Sequence, residues 1–193
     1  MSEWKPLGTM AGRFVRLEPL TEAHVAGLYE AGKDPDVWTW LSAGRPRALG
    51  DMRAQVADAI ADPVRFPFVQ FDANGEIAGT TSYYEVDQRH RAVWIGHTWI
   101  GARWQRTALN TESKLLLMSR AFDEFGALRV GWHTDVRNER SRRAIERLGA
   151  RQEGVLRAHR IRPDGTLRDT VCYSVIAPEW PAVRDRLLLK LHA

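Results

Sequence analysis

The sequence predicts an α+β (mixed α/β) fold in which one twisted mixed β-sheet carries helices on both faces. Strand and helix signals follow one another in the order βααβββαβαββα, with no repeat, low-complexity segment or linker between them. A length of 193 residues suits one domain, and 44% hydrophobic with 27% charged residues is typical of a globular protein. We therefore expect a single domain over residues 1–193.

The first half of the chain predicts one strand, two helices and then three strands. The first alternating segment ends near Pro19, which favours an edge strand because proline has no N–H to donate. Asn74-Gly75 separates two further alternating segments and is typical of a tight β-hairpin. The periodicities place strands over 14–20, 66–71, 77–86 and 92–100, helices over 22–31 and 51–62, and a loop or short helical turns over 34–50.

The second half alternates helices and strands. Asn110 is the predicted N-cap of the clearest helix, and Gly126 ends that helix. Pro163-Asp164-Gly165 predicts a turn between the last two strands. The periodicities place helices over 110–125, 138–148 and 178–191, and strands over 129–136, 153–161 and 169–176.

Composition excludes several classes of protein. The single cysteine, Cys172, excludes an internal disulfide, and no spacing of histidines and carboxylates predicts a metal site. Residues 1–6 lack the pattern of a secretory signal, and the longest aliphatic run, Leu115–Met118, is too short for a membrane span. We expect a cytoplasmic protein without a membrane partner. The net charge of +4 suits an anionic small ligand or weak attraction to nucleic acid.

The segment from Trp99 to Glu112 runs from the end of a strand, through an arginine-bearing turn, to the start of the clearest helix. A helix N-terminus has unpaired N–H groups and a partial positive charge, so it binds phosphate well. Arg103 and Arg106 would add charge-assisted hydrogen bonds. The alternative is an ordinary strand–helix connection with solvated arginines.

Three motifs make the chain recognisable: Gln105–Asn110, Asn138–Ala150, and Glu153–Arg157 followed by 163–165 and 169–171. Their order and spacing resemble the GNAT superfamily of acyl-CoA-dependent N-acyltransferases, and within it the RimJ/RimL-like branch of ribosomal-protein N-terminal acetyltransferases. The chain departs from the family at four positions. Ala108 and Asn110 replace small residues of its pyrophosphate loop, Trp94 replaces a glutamate, and Ile145 replaces a tyrosine found in some members.

The resemblance implies an N-acetyltransferase that takes acetyl-CoA as co-substrate. A primary amine of a protein N-terminus or a small molecule would attack the thioester directly in a ternary complex. Relatives often form homodimers, so a homodimer is expected here too. The resemblance assigns to coenzyme binding Thr98, Trp99, Ile100, Gln105, Arg106, Thr107, Ala108, Leu109, Asn110, Thr111, Asn138 and Arg143.

Some of these assignments have a structural alternative. One helical stripe carries Arg140, Arg143 and Arg147, and these would meet the coenzyme's 3′-phosphate. Alternatively, the stripe would be a solvated face paired with glutamates such as Glu139, which lies four residues before Arg143. Asn138 would bind coenzyme or water, act as a plain N-cap, or do both.

Three residues are candidates for the proton transfers. His133 is the expected general base, and strand alternation puts it on the face of Asp135, which we expect to orient it. The alternative is a packing or surface histidine, and His97 is a rival base. Ser141 resembles the serine proposed to protonate the departing sulfur in relatives. Its alternative role is a hydrogen bond within the first helical turn.

The acceptor side has its own candidates: Trp38, Trp40, Tyr83 and His97 are expected to bind the amine substrate. Trp38 and Trp40 have an alternative role. Two large apolar rings in a loop would then form a dimer contact or a local core. Two other functions compete with the enzyme. One is a non-catalytic acyl-CoA-binding sensor, which the altered loop would suit. The other is a nucleic-acid module using the arginine-rich helix, which interleaved glutamates disfavour.

Overall fold

The computed structural model describes residues 8–192; residues 1–7, where we predict no secretory signal, and residue 193 lie outside it. The described strands are β1 (Met10–Ala11), β2 (Val15–Pro19), β3 (Arg65–Asp72), β4 (Ile77–Asp87), β5 (Ala92–Ile100), β6 (Arg129–Asp135), β7 (Arg151–Ile161) and β8 (Leu167–Ile176). The α-helices are α1 (Val25–Ala31), α2 (Leu49–Ala61), α3 (Ala108–Ser119), α4 (Glu139–Leu148) and α5 (Trp180–His192). The predicted mixed sheet with flanking helices is confirmed, with the two-residue strand β1 added before it.

The eight strands form one sheet in the order β1-β2-β3-β4-β5-β6-β8-β7. Every neighbouring pair is antiparallel except β5 and β6, which are parallel and pair only over Ala92↔Arg129, Val93↔Val130 and Trp94↔Gly131. Strand β6 stays paired with β8 as far as Asp135↔Thr170. Because β5 continues to Ile100 beside β4, the two central strands part after Trp94 and leave a gap in the sheet.

Strand β5 also carries a bulge at this gap. Thr80 of β4 faces Trp99, whereas Ser82, two residues on, faces Gly96, three residues back. His97 takes up the extra length with a φ of +47°, in the left-handed region that a side chain rarely adopts. The bulge turns the end of β5 away from β6.

Two apolar cores lie on opposite faces of the sheet. Helices α1 and α2 cover one face through Leu28, Met52 and Val56, which pack with Val69. The other face is covered by residues of α3, α4 and α5, including Leu117, Ile145 and Leu187. Residues of β6 therefore alternate between the α3–α5 core and the opposite side.

Two helices begin earlier than the sequence predicts. The predicted N-cap Asn110 is wrong: Thr107 caps α3, and its hydroxyl accepts from the Leu109 N–H at 3.3 Å. Helix α2 begins at Leu49 because the Asp51 carboxylate accepts the N–H groups of Arg47 and Ala48. Thr107 satisfies an N–H group of the first turn of its helix, and Asp51 satisfies the two N–H groups that precede its helix.

Glu112 of α3 ties the first strands to the rest of the fold. Its buried carboxylate accepts the backbone N–H groups of Arg13 at 2.8 Å, Phe14 at 2.5 Å and Val15 at 2.8 Å. Gly12 permits this approach, because a Cβ there would lie 2.3 Å from the Glu112 carboxyl carbon. One side chain thereby satisfies three successive main-chain donors between β1 and β2.

Replacing Glu112 with alanine should leave those three donors without acceptors and cost about 3 kcal/mol or more of unfolding free energy. Urea unfolding of E112A measures the loss. The control is E139A, which removes an exposed carboxylate paired only with the exposed Arg143 and should change stability by about 0.5 kcal/mol or less. Equal stability of the two variants would contradict the anchoring role of Glu112.

Candidate active site

The gap between β5 and β6 is lined by main-chain groups. Thr98, Trp99 and Ile100 form the end of β5, beyond the last residue pair with β6. Their other edge is occupied by β4, with Thr80 opposite Trp99 and Gly79 opposite Ile100. The edge of β5 toward the gap is therefore open to a ligand with hydrogen-bonding groups of its own.

The mouth of the gap is formed by the turn that leads into α3. Gln105 joins its two sides: its amide nitrogen donates to the Ile100 carbonyl at 3.0 Å, and its amide oxygen accepts from Arg140 Nη1 at 3.0 Å. Within this turn, Arg106 has a left-handed backbone, with a φ of +62°. Ala108 and Asn110 lie inside the helix, so neither position requires glycine's freedom of backbone conformation.

Arg140 and Arg143, both on α4, differ in their contacts. Arg143, the arginine expected to bind coenzyme, forms an exposed ion pair with Glu139 at 2.6 Å. This is the solvated pairing considered as its alternative. Arg140 instead reaches the turn before α3 through Gln105. The structure thus brings Arg140 to the mouth of the gap.

The N-terminus of α4 brings Asn138 and Ser141 together. The Asn138 carbonyl oxygen accepts the Ser141 N–H at 3.0 Å, so Asn138 is the N-cap of α4. The Ser141 hydroxyl makes no hydrogen bond with any residue in the range 8–192, contrary to the alternative of a bond within the first turn. It is free to donate to a ligand.

His133 contacts an aromatic cluster. Its Nδ1 lies 3.3 Å from the Tyr84 hydroxyl, and its ring lies 6.1 Å from Trp94 and 5.9 Å from His159. Burial, followed by the charges of His159 and Arg160, lowers the pKa of His133 to about 4. His133 is therefore neutral at pH 7.

The prediction that Asp135 orients His133 is wrong. Both oxygens of Asp135 accept from Arg162, at 2.7 and 3.0 Å, and Oδ1 also accepts the Arg137 N–H. The hydrogen bonds from Arg162 and Arg137 keep the pKa of Asp135 below its ordinary value even though burial opposes the shift. Tyr84, rather than Asp135, forms the hydrogen bond with His133.

A small cavity of about 90 Å³ lies on the α1–α2 side of β5. Trp38 and His97 both line it, together with Arg65 and Trp99, and the rings of Trp38 and Trp99 are 5.1 Å apart. Trp38 also belongs to the local core around α1 and α2, the alternative considered for it. Desolvation, and then the charge of Arg65, lower the pKa of His97 to about 4.

Two of the expected acceptor residues lie elsewhere. Trp40 is half-buried and is not among the residues lining that cavity. Tyr83 is fully buried in the α3–α5 core, where its hydroxyl donates to the Leu117 carbonyl, so its assignment to the acceptor site is wrong. Its neighbour Tyr84 points to the opposite face and contacts His133 and His97.

Lys114 is a buried residue beside the gap that the sequence did not single out. Its ammonium nitrogen bonds the hydroxyls of Thr81 at 2.8 Å and Thr98 at 2.9 Å, and no carboxylate within the described residues pairs with it. Desolvation alone lowers the pKa of Lys114 to about 7. Lys114 thus ties α3 to the bulged end of β5. A helical pattern gives no signal for such a residue.

Two features are absent from the part of the chain that the structure describes. No group of three or more histidines, cysteines or carboxylates within 8–192 is arranged to hold a metal ion. None of the helices in that range combines the length and hydropathy needed to cross a bilayer.

A sheet that opens between two parallel strands, with a helix N-terminus at the mouth of the opening, defines the N-acyltransferase class of folds. Residues 15–151 match the family model described as the acetyltransferase (GNAT) domain. This match covers well over half of the chain. The chain therefore belongs to the GNAT acetyltransferase family.

Similar proteins agree with this assignment. A GCN5-related N-acetyltransferase from Brucella melitensis is 32% identical, with a TM-score of 0.92 over 95% of this chain and 85% of its own. The uncharacterized N-acetyltransferase YoaA of Bacillus subtilis (strain 168) is 33% identical over 103 residues, 53% of this chain and 57% of YoaA. The match thus spans little more than half the length of that curated relative. Mycobacterium smegmatis RimJ, in complex with CoA-disulfide, shares the fold at 20% identity, with a TM-score of 0.80 over 95% of this chain and 93% of its own.

Replacing Lys114 with methionine should flatten the pH dependence of stability between pH 7 and pH 10. Unfolded lysine binds a proton up to about pH 10.5, whereas folded Lys114 releases it near pH 7, so the wild type gains stability as pH rises through this window. The gain approaches about 1.4 kcal/mol per pH unit for one proton. Urea unfolding at four pH values measures the slope, with the exposed K33M as control. Equal slopes in K114M and wild type would contradict a neutral buried amine.

Proposed function

We propose that this chain forms one acetyl-CoA-dependent N-acetyltransferase domain of the RimJ/RimL-like branch. The observation that carries the proposal is the parting of β5 from β6 directly beside the N-terminus of α3. The acceptor is a primary amine of a protein N-terminus or a small molecule. The branch rests on the three sequence motifs around Gln105, Asn138 and Glu153.

The residues around the gap suit a pantetheine chain and a diphosphate. The open edge of β5 offers main-chain donors and acceptors to amide groups. Trp132, the first residue of β6 beyond the last pair with β5, buries its indole N–H without an acceptor in the described part of the chain. Free N–H groups of the first turn of α3, with Arg106 and Arg140 nearby, suit the phosphate oxygens.

Acetyl-CoA supplies an activated thioester, and the protein positions the amine against it. The amine nitrogen forms a bond to the carbonyl carbon, the carbon–sulfur bond breaks, the nitrogen loses a proton and the thiolate gains one. A main-chain N–H of β5 stabilises the negative charge on the carbonyl oxygen. Holding the two reacting atoms in place removes much of the entropic barrier.

His133 and Ser141 move the protons in this proposal. His133 is neutral at pH 7, so an imidazole nitrogen accepts the N–H of the attacking amine, while Tyr84 fixes the ring. The free hydroxyl of Ser141 donates to the departing sulfur. Asn138 supports Ser141 by capping the turn that carries it.

A non-catalytic acyl-CoA sensor is the alternative function. Thiol release from acetyl-CoA across a panel of amines, measured beside calorimetric binding of CoA, separates the two. Turnover on any amine supports the enzyme. Tight binding without turnover on every amine would overturn the enzyme in favour of the sensor.

The coenzyme site is tested by a matched pair of arginines on α4. R140A should raise the KM for acetyl-CoA about tenfold with little change in kcat, because one charge-assisted contact to phosphate is lost. R143A removes only the exposed pair with Glu139 and should leave KM unchanged. Steady-state kinetics at saturating acceptor measures both. An effect confined to R143A would reverse this assignment.

Replacing His133 with alanine should lower kcat about 100-fold or more and leave the KM for acetyl-CoA unchanged. Because the pKa of His133 in the free protein is about 4, the ratio of wild-type to variant kcat/KM for the acceptor should stay constant from pH 6 to pH 9. It should fall only as the pH approaches 4, where His133 becomes protonated. H90A, an exposed histidine in the β4–β5 turn, is the control. A kcat of H133A close to that of H90A would remove His133 from the mechanism.

A further inference from the structure

Two arginines face each other near the turn of the β7–β8 hairpin. Arg160 of β7 and Arg168 of β8 are Cα partners across the hairpin. Like charges directly opposite one another destabilise a sheet. The β7 strand is also irregular before Arg160, with Ala158 at a φ of +49° and its N–H bonded to the Asp169 carboxylate at 2.8 Å.

No carboxylate within residues 8–192 forms an ion pair with either arginine, although the charge of Asp135 acts on Arg168 from a distance. Neither guanidinium makes a hydrogen bond or ion pair there, and Nε of Arg168 is buried without an acceptor. The nearby carboxylates are occupied: Asp135 binds Arg162, and Glu153 binds Arg129. Arg168 is half-buried and Arg160 is exposed, so the cost of the missing partner falls on the buried Nε of Arg168, which lacks an acceptor within the described residues.

The charge of these arginines reaches the residues of the proposed reaction. After desolvation, Arg160 contributes to lowering the pKa values of His97 and His133, and Arg168 acts on His133. Arg65, His159 and Arg129 add positive charge around the two histidines, and Asp62 opposes it at His97 alone. Positive charge therefore dominates the surroundings of His133.

This charge lies on the opposite side of the sheet from the proposed phosphate corner. Trp132 of β6 and Val171 of β8 pack in the α3–α5 core. Their neighbours His133 and Thr170 therefore face the opposite side of the sheet. Arg168 lies two residues before Thr170 and faces the same side as Thr170. The start of α3, with Arg106, belongs to the core side. Coenzyme phosphates held there leave Arg160 and Arg168 without a partner.

We propose that the acceptor is an amine whose molecule also carries a carboxylate or phosphate, and that Arg160 and Arg168 bind this anion beside His133. The inference rests on the proposed N-acetyltransferase function. Two guanidiniums offer parallel N–H donors that match the oxygens of either group. The anion supplies the missing acceptor of Arg168 and holds the amine within reach of the histidine.

Matched acceptor pairs test the inference: an amino acid against its amide, and phosphoethanolamine against ethanolamine. Wild type should show a kcat/KM at least tenfold higher for the anionic member of one pair, and the pair that responds identifies the anion. R168Q and R160Q should each reduce that ratio about tenfold or more. R157Q, an exposed arginine of the same strand, should keep the wild-type ratio. A ratio unchanged in both R168Q and R160Q would overturn the proposal.

A second measurement does not need turnover. Inorganic phosphate, titrated into the protein and followed by NMR of the histidine rings, should raise the pKa of His133 in wild type and R157Q but not in R168Q. Binding of phosphate without acetylation of any amine would support the anion site and sink the enzyme function. Acetylation of neutral and anionic amines alike, with no response to phosphate, would overturn the anion site and leave the enzyme intact. R160Q serves if R168Q does not fold.

Discussion

The arrangement of this protein depends on a hydrogen-bonded strand pair that stops early. Strands β5 and β6 share three residue pairs, whereas β6 keeps seven pairs with β8 on its other edge. The end of β6 therefore stays in the sheet through β8, and β4 is the strand that pairs with the end of β5. Main-chain N–H and C=O groups left unpaired in this way need hydrogen-bond partners, and a ligand that carries amide groups provides them.

Helix α3 holds the parted strand in place through buried polar side chains. Glu112, Ser113 and Lys114 follow one another along the helix, and all three are buried. Glu112 binds the turn before β2, Ser113 donates to Gln70 at 2.7 Å, and Lys114 binds Thr81 and Thr98. Each contact joins the helix to a different part of the sheet. The helix that begins at the mouth of the gap thus also fixes the gap's geometry.

Local signals in the sequence predicted the order of the elements, but not the pairings between distant residues. Asn74-Gly75 and the apolar periodicities are local, so the hairpin and helices could be located. The helix start was misplaced because Thr107 and Asn110 are both residue types that cap helices, and the structure uses the earlier one. The prediction of Tyr83 at the acceptor site was wrong by one residue, because the next residue, Tyr84, lies on the other face of the strand. The partner of Asp135, Arg162, lies 27 residues away and left no local signal.

The positive charge around His133 lowers its strength as a base. A histidine whose pKa is about 4 accepts a hydrogen bond at pH 7 but holds a proton poorly, so alone it is a weak base. Burial is the largest cause of that low pKa, and the charges of Arg160 and Arg168 add to it, so an anion bound between them would cancel only their contribution. The pKa of His133 would then rise by that part while the acceptor is bound. Binding of the acceptor and activation of its amine would then have the same electrostatic cause. An acceptor without an anionic group would gain neither the contact with the arginines nor the raised pKa of His133.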